Sequence, residues 1–267
     1  MLSTLIVEPG KPARLGSRDP ADHLGLENRD QADEQTASLI DELSMLHNRL
    51  WAEQKRALLL VLQGMDAAGK DGTIKHVFTG VNPQGCSVVS FKAPNDEDRA
   101  HDYLWRVHHV LPRRGAIGIF NRSHYEDVVT ARMIGVIDDR EAERRCRQIR
   151  EFEQGVVEEG TAIVKVFLHV SSAEQRQRLQ ERLDDPEKRW KFNKADLDVR
   201  AAWDGYQQRY DAAISATSTK HSPWYVVPSD RKWVRNVAVA RLLVHALREM
   251  DPKIPPGDPG LDGITVQ

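Results

Sequence analysis

Five short apolar runs punctuate the chain: Leu58 to Leu62, Cys86 to Phe91, Ala116 to Phe120, Thr161 to Val170 and Trp224 to Val227. Each is near strand length and unalternating, the pattern of a strand covered on both faces. The segments between them have helical period instead. Leu104, Val107 and Leu111 recur at that spacing, as do Trp233, Val237, Ala240, Val244 and Leu247. Before the first run, Leu39, Leu43, Leu46 and Leu50 mark one face of a helix ending near Trp51,. Ser171 and Glu174 form a capping-box pattern just after the fourth run and start another helix there,. Buried strands alternating with amphipathic helices predict an α/β fold in three layers, with a five-stranded, mostly parallel sheet and right-handed crossovers.

The ends read differently. Residues 1–35 carry Pro12, Pro20 and several glycines with little periodicity, which predicts an extended N-terminal arm able to pack on a neighbouring surface,. Residues 36–250 form the body, and 251–267, with Pro252, Pro255, Pro256 and Pro259, form a C-terminal tail that cannot continue a helix,. No internal repeat interrupts this one-domain plan. Of the 267 residues, 40% are hydrophobic and 29% charged, which suits a globular core and excludes a disordered chain,. No apolar run reaches the length of a membrane span, and the start of the chain lacks the features of a signal peptide, so a cytoplasmic protein without membrane partners is expected,. Cys86 and Cys146 are too few for a disulfide framework or a zinc knuckle and read as structural,. The net charge of −2 hides basic concentrations from Arg113 to Arg150 and from Arg176 to Lys191. Such clusters attract polyanions, although the run from Arg140 to Glu151 alternates in sign and reads better as a solvated helix face,.

The segment Gly64-Met65-Asp66-Ala67-Ala68-Gly69-Lys70-Asp71-Gly72 follows the first strand and precedes a helix expected from Thr73. This is the context of a phosphate-binding loop. Gly64 and Gly69 permit the turns that aim successive N–H groups, those of Ala67 and Ala68 among them, at one anion, and the helix N-terminus adds donors from Asp71 and Gly72. Lys70 places a flexible charge over the phosphates. A mere glycine-rich turn would leave that lysine unexplained. Asp71 stands where a hydroxyl residue usually helps hold magnesium, so Asp66, with Asp71 as a second choice, is the expected carboxylate ligand,. The variant loop is similar to those of thymidylate-kinase-type nucleotide kinases, which implies a thymidylate-kinase-like P-loop kinase fold.

Polar residues also gather at the end of the third run, as Asn121-Arg122-Ser123-His124-Tyr125-Glu126-Asp127. Ligands bind at this edge of open parallel sheets. Arg122 is expected to neutralise charge on the transferred phosphoryl group. Because the strand ends in neutral Asn121, Glu126 and Asp127 are the replacement metal carboxylates; the alternative is that each only stabilises a helix N-terminus. A helical lid is expected at about 182–199, around the turn Asp184-Asp185-Pro186, with Arg182 and Lys188 gripping phosphates,. Arg176, Arg178 and Arg189 are equally well explained as solvated helix charges, and Trp190 and Phe192 as lid packing. The ten histidines show no zinc spacing, which leaves magnesium as the expected metal and manganese as its substitute,.

Separated segments in order carry a more specific likeness. Gln63 to Lys75, Asn82 to Gly85, Phe91 to Pro94, Phe120 to Asp127 and Asp184 to Phe192 are similar to polyphosphate kinase 2 signatures, as is Ala216 through Pro228. The resemblance spans about Leu39 to Met250. It implies magnesium-dependent, reversible phosphoryl transfer between inorganic polyphosphate and nucleoside mono- or diphosphates, AMP to ADP and ADP to ATP, without a phosphoenzyme. It also implies adenine or guanine nucleotide partners and a homo-oligomer, dimer or tetramer, with no nucleic-acid partner. Nucleotide contacts are implied near Lys92, Ala93 and Pro94, with Asn121, Glu126 and, more weakly, Arg132. The pair Asn121 and Glu126 resembles the subgroup that accepts both AMP and ADP. Two rivals stand beside this reading: an ATP-dependent nucleotide kinase, distinguished by a closed adenine pocket, and a non-catalytic sensor, distinguished by absence of turnover.

Overall fold

The computed structural model describes residues 2–259 and 264–265; residues 260–263 and 266–267 of the expected tail lie outside them. The strands are β1 (Ile6–Val7), β2 (Ala57–Gln63), β3 (Cys86–Ser90), β4 (Ile117–Asn121), β5 (Thr161–His169) and β6 (Trp224–Pro228). The helices are α1 (Leu2–Leu5), α2 (Arg29–Glu53), α3 (Lys70–Val77), α4 (Asp96–Ala100), α5 (Trp105–His108), α6 (Val129–Met133), α7 (Asp139–Glu158), α8 (Ser172–Asp184), α9 (Ala195–Ala201), α10 (Trp203–Thr217) and α11 (Lys232–Met250). The sheet order is β1-β6-β5-β2-β4-β3, with β2 to β6 parallel and β1 antiparallel to β6.

All five apolar runs are strands, and the parallel body is the one expected. The sheet nevertheless has six strands. The sixth, Ile6–Val7, pairs with Tyr225 and Trp224 and is too short to leave a periodic signal. It belongs to the supposed arm, which is folded onto its own chain: Leu5, Val7, Ala13, Leu15 and Leu26 are all buried. Arg18 holds this segment together by donating to the carbonyls of Thr4, Leu5, Ile6 and Ala13. Asp211 and Ser215 on α10 accept from the Leu15 and Ala13 N–H groups. Apolar anchors separated by polar residues gave no helical or strand period, so burial here was illegible.

The strand β2 is buried at every position because it lies between β5 and β4 with helices on both sides. Alternate residues of β5 point to opposite faces. Lys165 and Phe167 meet Glu153 of α7 and Tyr210 of α10, which leaves Val164, Val166 and Leu168 to the face on which α11 packs. α2 then packs on α11. Its buried residues include Leu43, Leu46 and Leu50, three of the four leucines marked by sequence. Ser171 caps α8 by accepting from the Glu174 N–H at 3.1 Å, but the reciprocal half of the capping box is missing because the Glu174 carboxylate binds Arg178 instead. The Arg140 to Glu151 run lies on α7, where Arg144 and Arg145 pair with Glu141 and Arg147 with Glu151, the solvated face expected. Among the described residues no helix is long and apolar enough to cross a membrane.

Candidate active site

The C-terminal ends of β2 and β4 lie side by side, so the loops that follow them share one cleft. After Gln63 the chain turns at Gly64, where φ is 150° and a Cβ would stand 2.8 Å from the Leu168 carbonyl oxygen. Ala67 is held at φ 62°, a left-handed conformation that non-glycine residues adopt at some cost,. Gly69, at φ 107°, closes the loop, and α3 begins at Lys70, three residues earlier than expected. Residues of that first turn have N–H groups without helical partners, a ready anion cradle. Ala68 contributes none, because its N–H bonds to the Met65 carbonyl at 3.1 Å. Its role is structural.

Lys70 folds back over the loop and donates to Gly64 O at 2.7 Å and Met65 O at 3.3 Å. Burial and then Arg122 lower its pKa, against the opposing pull of Asp66, Glu126 and Asp71. Arg122, at φ 61° just past β4, sends Nη2 to Asp66 Oδ1 at 2.7 Å. Burial disfavours that guanidinium, but Asp66 and Glu126 outweigh it and raise its pKa. Asn121 Nδ2 donates to Asp71 Oδ1 at 2.7 Å and so ties the two loops together.

These groups line one side of a cleft of about 950 Å³, and the lid lines the other. Of the residues singled out by sequence, Asp66, Ala67, Gly69, Lys70, Asp71, Gly72, Lys92, Asn121, Arg122, Arg182 and Lys188 line it. Gly64 shapes the loop from behind. Ala93 and Pro94 follow Lys92 but are not among the lining residues. Arg182 Nη1 stands 3.9 Å from Asp196 of α9, and Lys188 Nζ 2.5 Å from Asp185. Both pairs are partly open to solvent and weak enough to yield to a phosphate chain.

Three expected residues sit elsewhere. Asp127 is buried, accepts from Arg106 Nη2 at 2.8 Å and is not among the residues that line the cleft where a metal was expected. Arg132 pairs with Asp139 at 2.5 Å and is not among the residues that line the cleft. Glu126 accepts from Thr130 Oγ1 at 2.6 Å, and with the Gln63 amide oriented so that both of its ends are paired it also accepts from Gln63 Nε2 at 3.0 Å, while Gln63 Oε1 accepts from Ser123 N and Oγ. It lies behind Arg122 and reaches the cleft through its charge rather than by contact. A 3₁₀ turn over His124–Asp127, instead of an α-helical one, sets these directions, and Arg106 comes from a distant segment. Neither was readable locally.

Other residues matter more than sequence implied. Arg178 is no solvated charge. It is buried and donates to the carbonyls of Ala67 and Ala68 at 2.9 and 3.1 Å and to Ser229 and Asp230, bracing the phosphate loop from below. Trp190 is not lid packing: it is 78% exposed, and with Phe192 it faces the cleft. Behind the turn after β4, Lys165 and Glu153 form a buried ion pair that also engages Tyr125, His124 and Ser222.

The residues that face the cleft fit a magnesium ion. Asp66 presents a carboxylate beside the phosphate loop, and among the described residues no cluster of three or more His, Cys, Asp or Glu forms a closed cage. One or two carboxylates completed by substrate phosphates and water is how that hard ion is ordinarily held.

Comparison with known proteins identifies the family. The family model for polyphosphate kinase 2 matches residues 26–255. An AMP/ADP-polyphosphate phosphotransferase of Meiothermus ruber is 48% identical over 262 residues, covering 98% of each chain. An ADP-polyphosphate phosphotransferase of Rhodopseudomonas palustris is 42% identical over 87% of this chain and 85% of its own. Among solved structures, polyphosphate kinase 2 from Arthrobacter aurescens superposes with a TM-score of 0.92 at 42% identity, over 96% of this chain and 91% of its own. With the family model matched over most of the chain and relatives this similar along nearly their whole length, the chain belongs to the polyphosphate kinase 2 family.

Proposed function

We propose that the protein catalyses reversible, magnesium-dependent phosphoryl transfer between inorganic polyphosphate and nucleoside mono- and diphosphates, with AMP and ADP as acceptors. The observation that carries the reading is the cleft itself. Lys70 and Arg122 stand on one wall and Arg182, Lys188, Lys191 and Lys194 on the other, six cations facing one cleft, as a polyanionic substrate requires,. Asp66 would hold the magnesium ion, which neutralises phosphate oxygens when bound. The chain's own groups do the rest. The first-turn N–H groups of α3 and Lys70 orient the donor phosphates, Arg122 meets charge that develops on the transferred group, and Asp66 keeps Arg122 aimed,. Closure of the lid brings further cations and excludes water, which limits hydrolysis. No side chain need act as a nucleophile. Incubation with AMP or ADP, magnesium and polyphosphate in the absence of ATP, followed by nucleotide analysis, tests the reading. Formation of ADP and ATP is expected; conversion with ATP alone as donor would favour a nucleotide kinase, and no conversion with either donor a sensor.

Two lid predictions follow from the geometry. Replacing Arg182 and Lys188 together by alanine is expected to raise the KM for polyphosphate by about tenfold to a hundredfold, because two charge-assisted contacts are lost. The same variant should show a flatter dependence of KM on ionic strength, and an unchanged salt slope would remove these residues from the polyanion path. For Trp190 the expected effect falls on the other substrate. Polyphosphate has no aromatic surface, whereas a nucleobase stacks on an indole. Trp190→Ala should therefore raise the KM for AMP and ADP about fivefold to a hundredfold, with Trp190→Phe retaining most of the affinity. An equal rise for polyphosphate would show that Trp190 orders the lid instead.

A further inference from the structure

Arg235, in the first turn of α11, is only 2% exposed, and none of the described carboxylates compensates it. Its Nε and Nη2 share one neutral acceptor, Asn236 Oδ1, at 3.3 and 3.0 Å. The guanidinium presses against the phosphate loop: a Cβ at Gly69 would fall 1.9 Å from Nη1, and one at Gly72 would fall 3.3 Å from Nη2. Glycine at these two positions therefore does more than permit a turn. It leaves the space that a buried cation fills. Apart from that amide, the nearby features disfavour the cation. The N-terminal ends of α3 and α11 both carry partial positive charge, and Arg178 stands close enough to repel,. Burial, followed by Arg178, lowers the Arg235 pKa to about 9. Arg178 differs, since Glu174 and four carbonyls satisfy it.

A buried charge without a partner is retained against its cost where something else supplies the countercharge. Here the far side of the same loop backbone faces the phosphate cleft. We propose that Arg235 is a positioning residue whose counterion is the polyphosphate itself: it charges the loop from behind, raises affinity for the phosphate chain, and destabilises the protein until that chain binds. The proposal rests on the reading of the cleft as a polyphosphate site. It makes an unusual pair of demands, because a residue kept for structure alone would stabilise the empty protein and leave anion affinity unchanged.

The test is Arg235→Met, which keeps length and removes charge, with Arg235→Lys as its charged control. Inorganic tripolyphosphate is the probe, read by calorimetry and by thermal unfolding with and without it. Arg235→Met is expected to melt at the wild-type temperature or above when empty, to bind tripolyphosphate about tenfold or more weakly, and to gain less thermal stabilisation from it. In turnover, the KM for polyphosphate should rise far more than kcat falls. Arg235→Lys should keep most of the affinity. An unchanged tripolyphosphate Kd in Arg235→Met overturns the proposal, as does a variant that unfolds more readily when empty. Equal loss of affinity in the Met and Lys variants also overturns it, since shape rather than charge would then be responsible. Failure of the wild-type protein to bind tripolyphosphate would instead overturn the reading of the cleft beneath it.

Discussion

Lys70→Ala is expected to lower turnover by roughly three orders of magnitude in both directions while the protein stays folded. The reason lies in where the charge is needed. In phosphoryl transfer the protein supplies little covalent chemistry, so its contribution is orientation and stabilisation of charge on the transferred group. Lys70 is the cation on the phosphate loop, and its partners are two loop carbonyls, Gly64 O and Met65 O. Those bonds hold the ammonium in readiness but are not part of the core. Their loss leaves two loop carbonyls without that donor, but it also removes a charge that burial already disfavours. A small change in melting temperature with collapsed kcat for both AMP phosphorylation and the reverse reaction is the expected result. Near-normal kcat would take Lys70 out of the transition state, and a large fall in melting temperature would show that the loop depends on it for folding.

The sequence discloses this loop because its backbone demands are written in residue types. Gly64 and Gly69 occupy positions where a side chain would collide or strain, and a buried strand and a helix flank them in order. The parallel sheet was equally plain, since strands covered on both faces become unbroken apolar runs. What stayed hidden depends on direction and distance. Arg178 and Arg182 lie four residues apart on α8, but only tertiary packing decides that the first turns inward to the loop carbonyls while the second lines the cleft. Glu126 and Asp127 are adjacent in sequence and diverge because a 3₁₀ turn sends one toward Gln63 and the other to Arg106. Arg235 reads as one more helix arginine until the two glycines that face it are seen.

The buried ion pair behind the second loop carries the largest expected effect on stability. Lys165 Nζ donates to Glu153 Oε2 at 2.5 Å, to Tyr125 OH at 3.1 Å and to the Thr217 carbonyl at 2.8 Å. Glu153 also accepts from Tyr125 OH and Ser222 Oγ, each at 2.8 Å, and His124 Nε2 lies 3.3 Å from it. Burial pushes the Glu153 carboxyl up, but Lys165 and His124 outweigh it and hold its pKa at about 2. Glu153→Gln keeps the shape and strands the Lys165 ammonium in the core, which should cost about 3–5 kcal/mol. Because His124 and Tyr125 follow Arg122 after a single intervening residue, the aim of that arginine should loosen as well. Removing both charges in Glu153→Gln/Lys165→Met should recover most of the loss, since a neutral pair leaves no uncompensated ion. The pH dependence has a fixed sign. A carboxyl depressed from its ordinary 4.5 to about 2 contributes stability that is complete above the higher value and lost as pH falls through the lower one,. The gap between wild type and Glu153→Gln in denaturant unfolding should thus be constant near neutrality and narrow between those two values. A single variant as stable as wild type at pH 7, or a double variant no better than the single, would show that the network acts through packing and hydrogen bonds rather than through its charges.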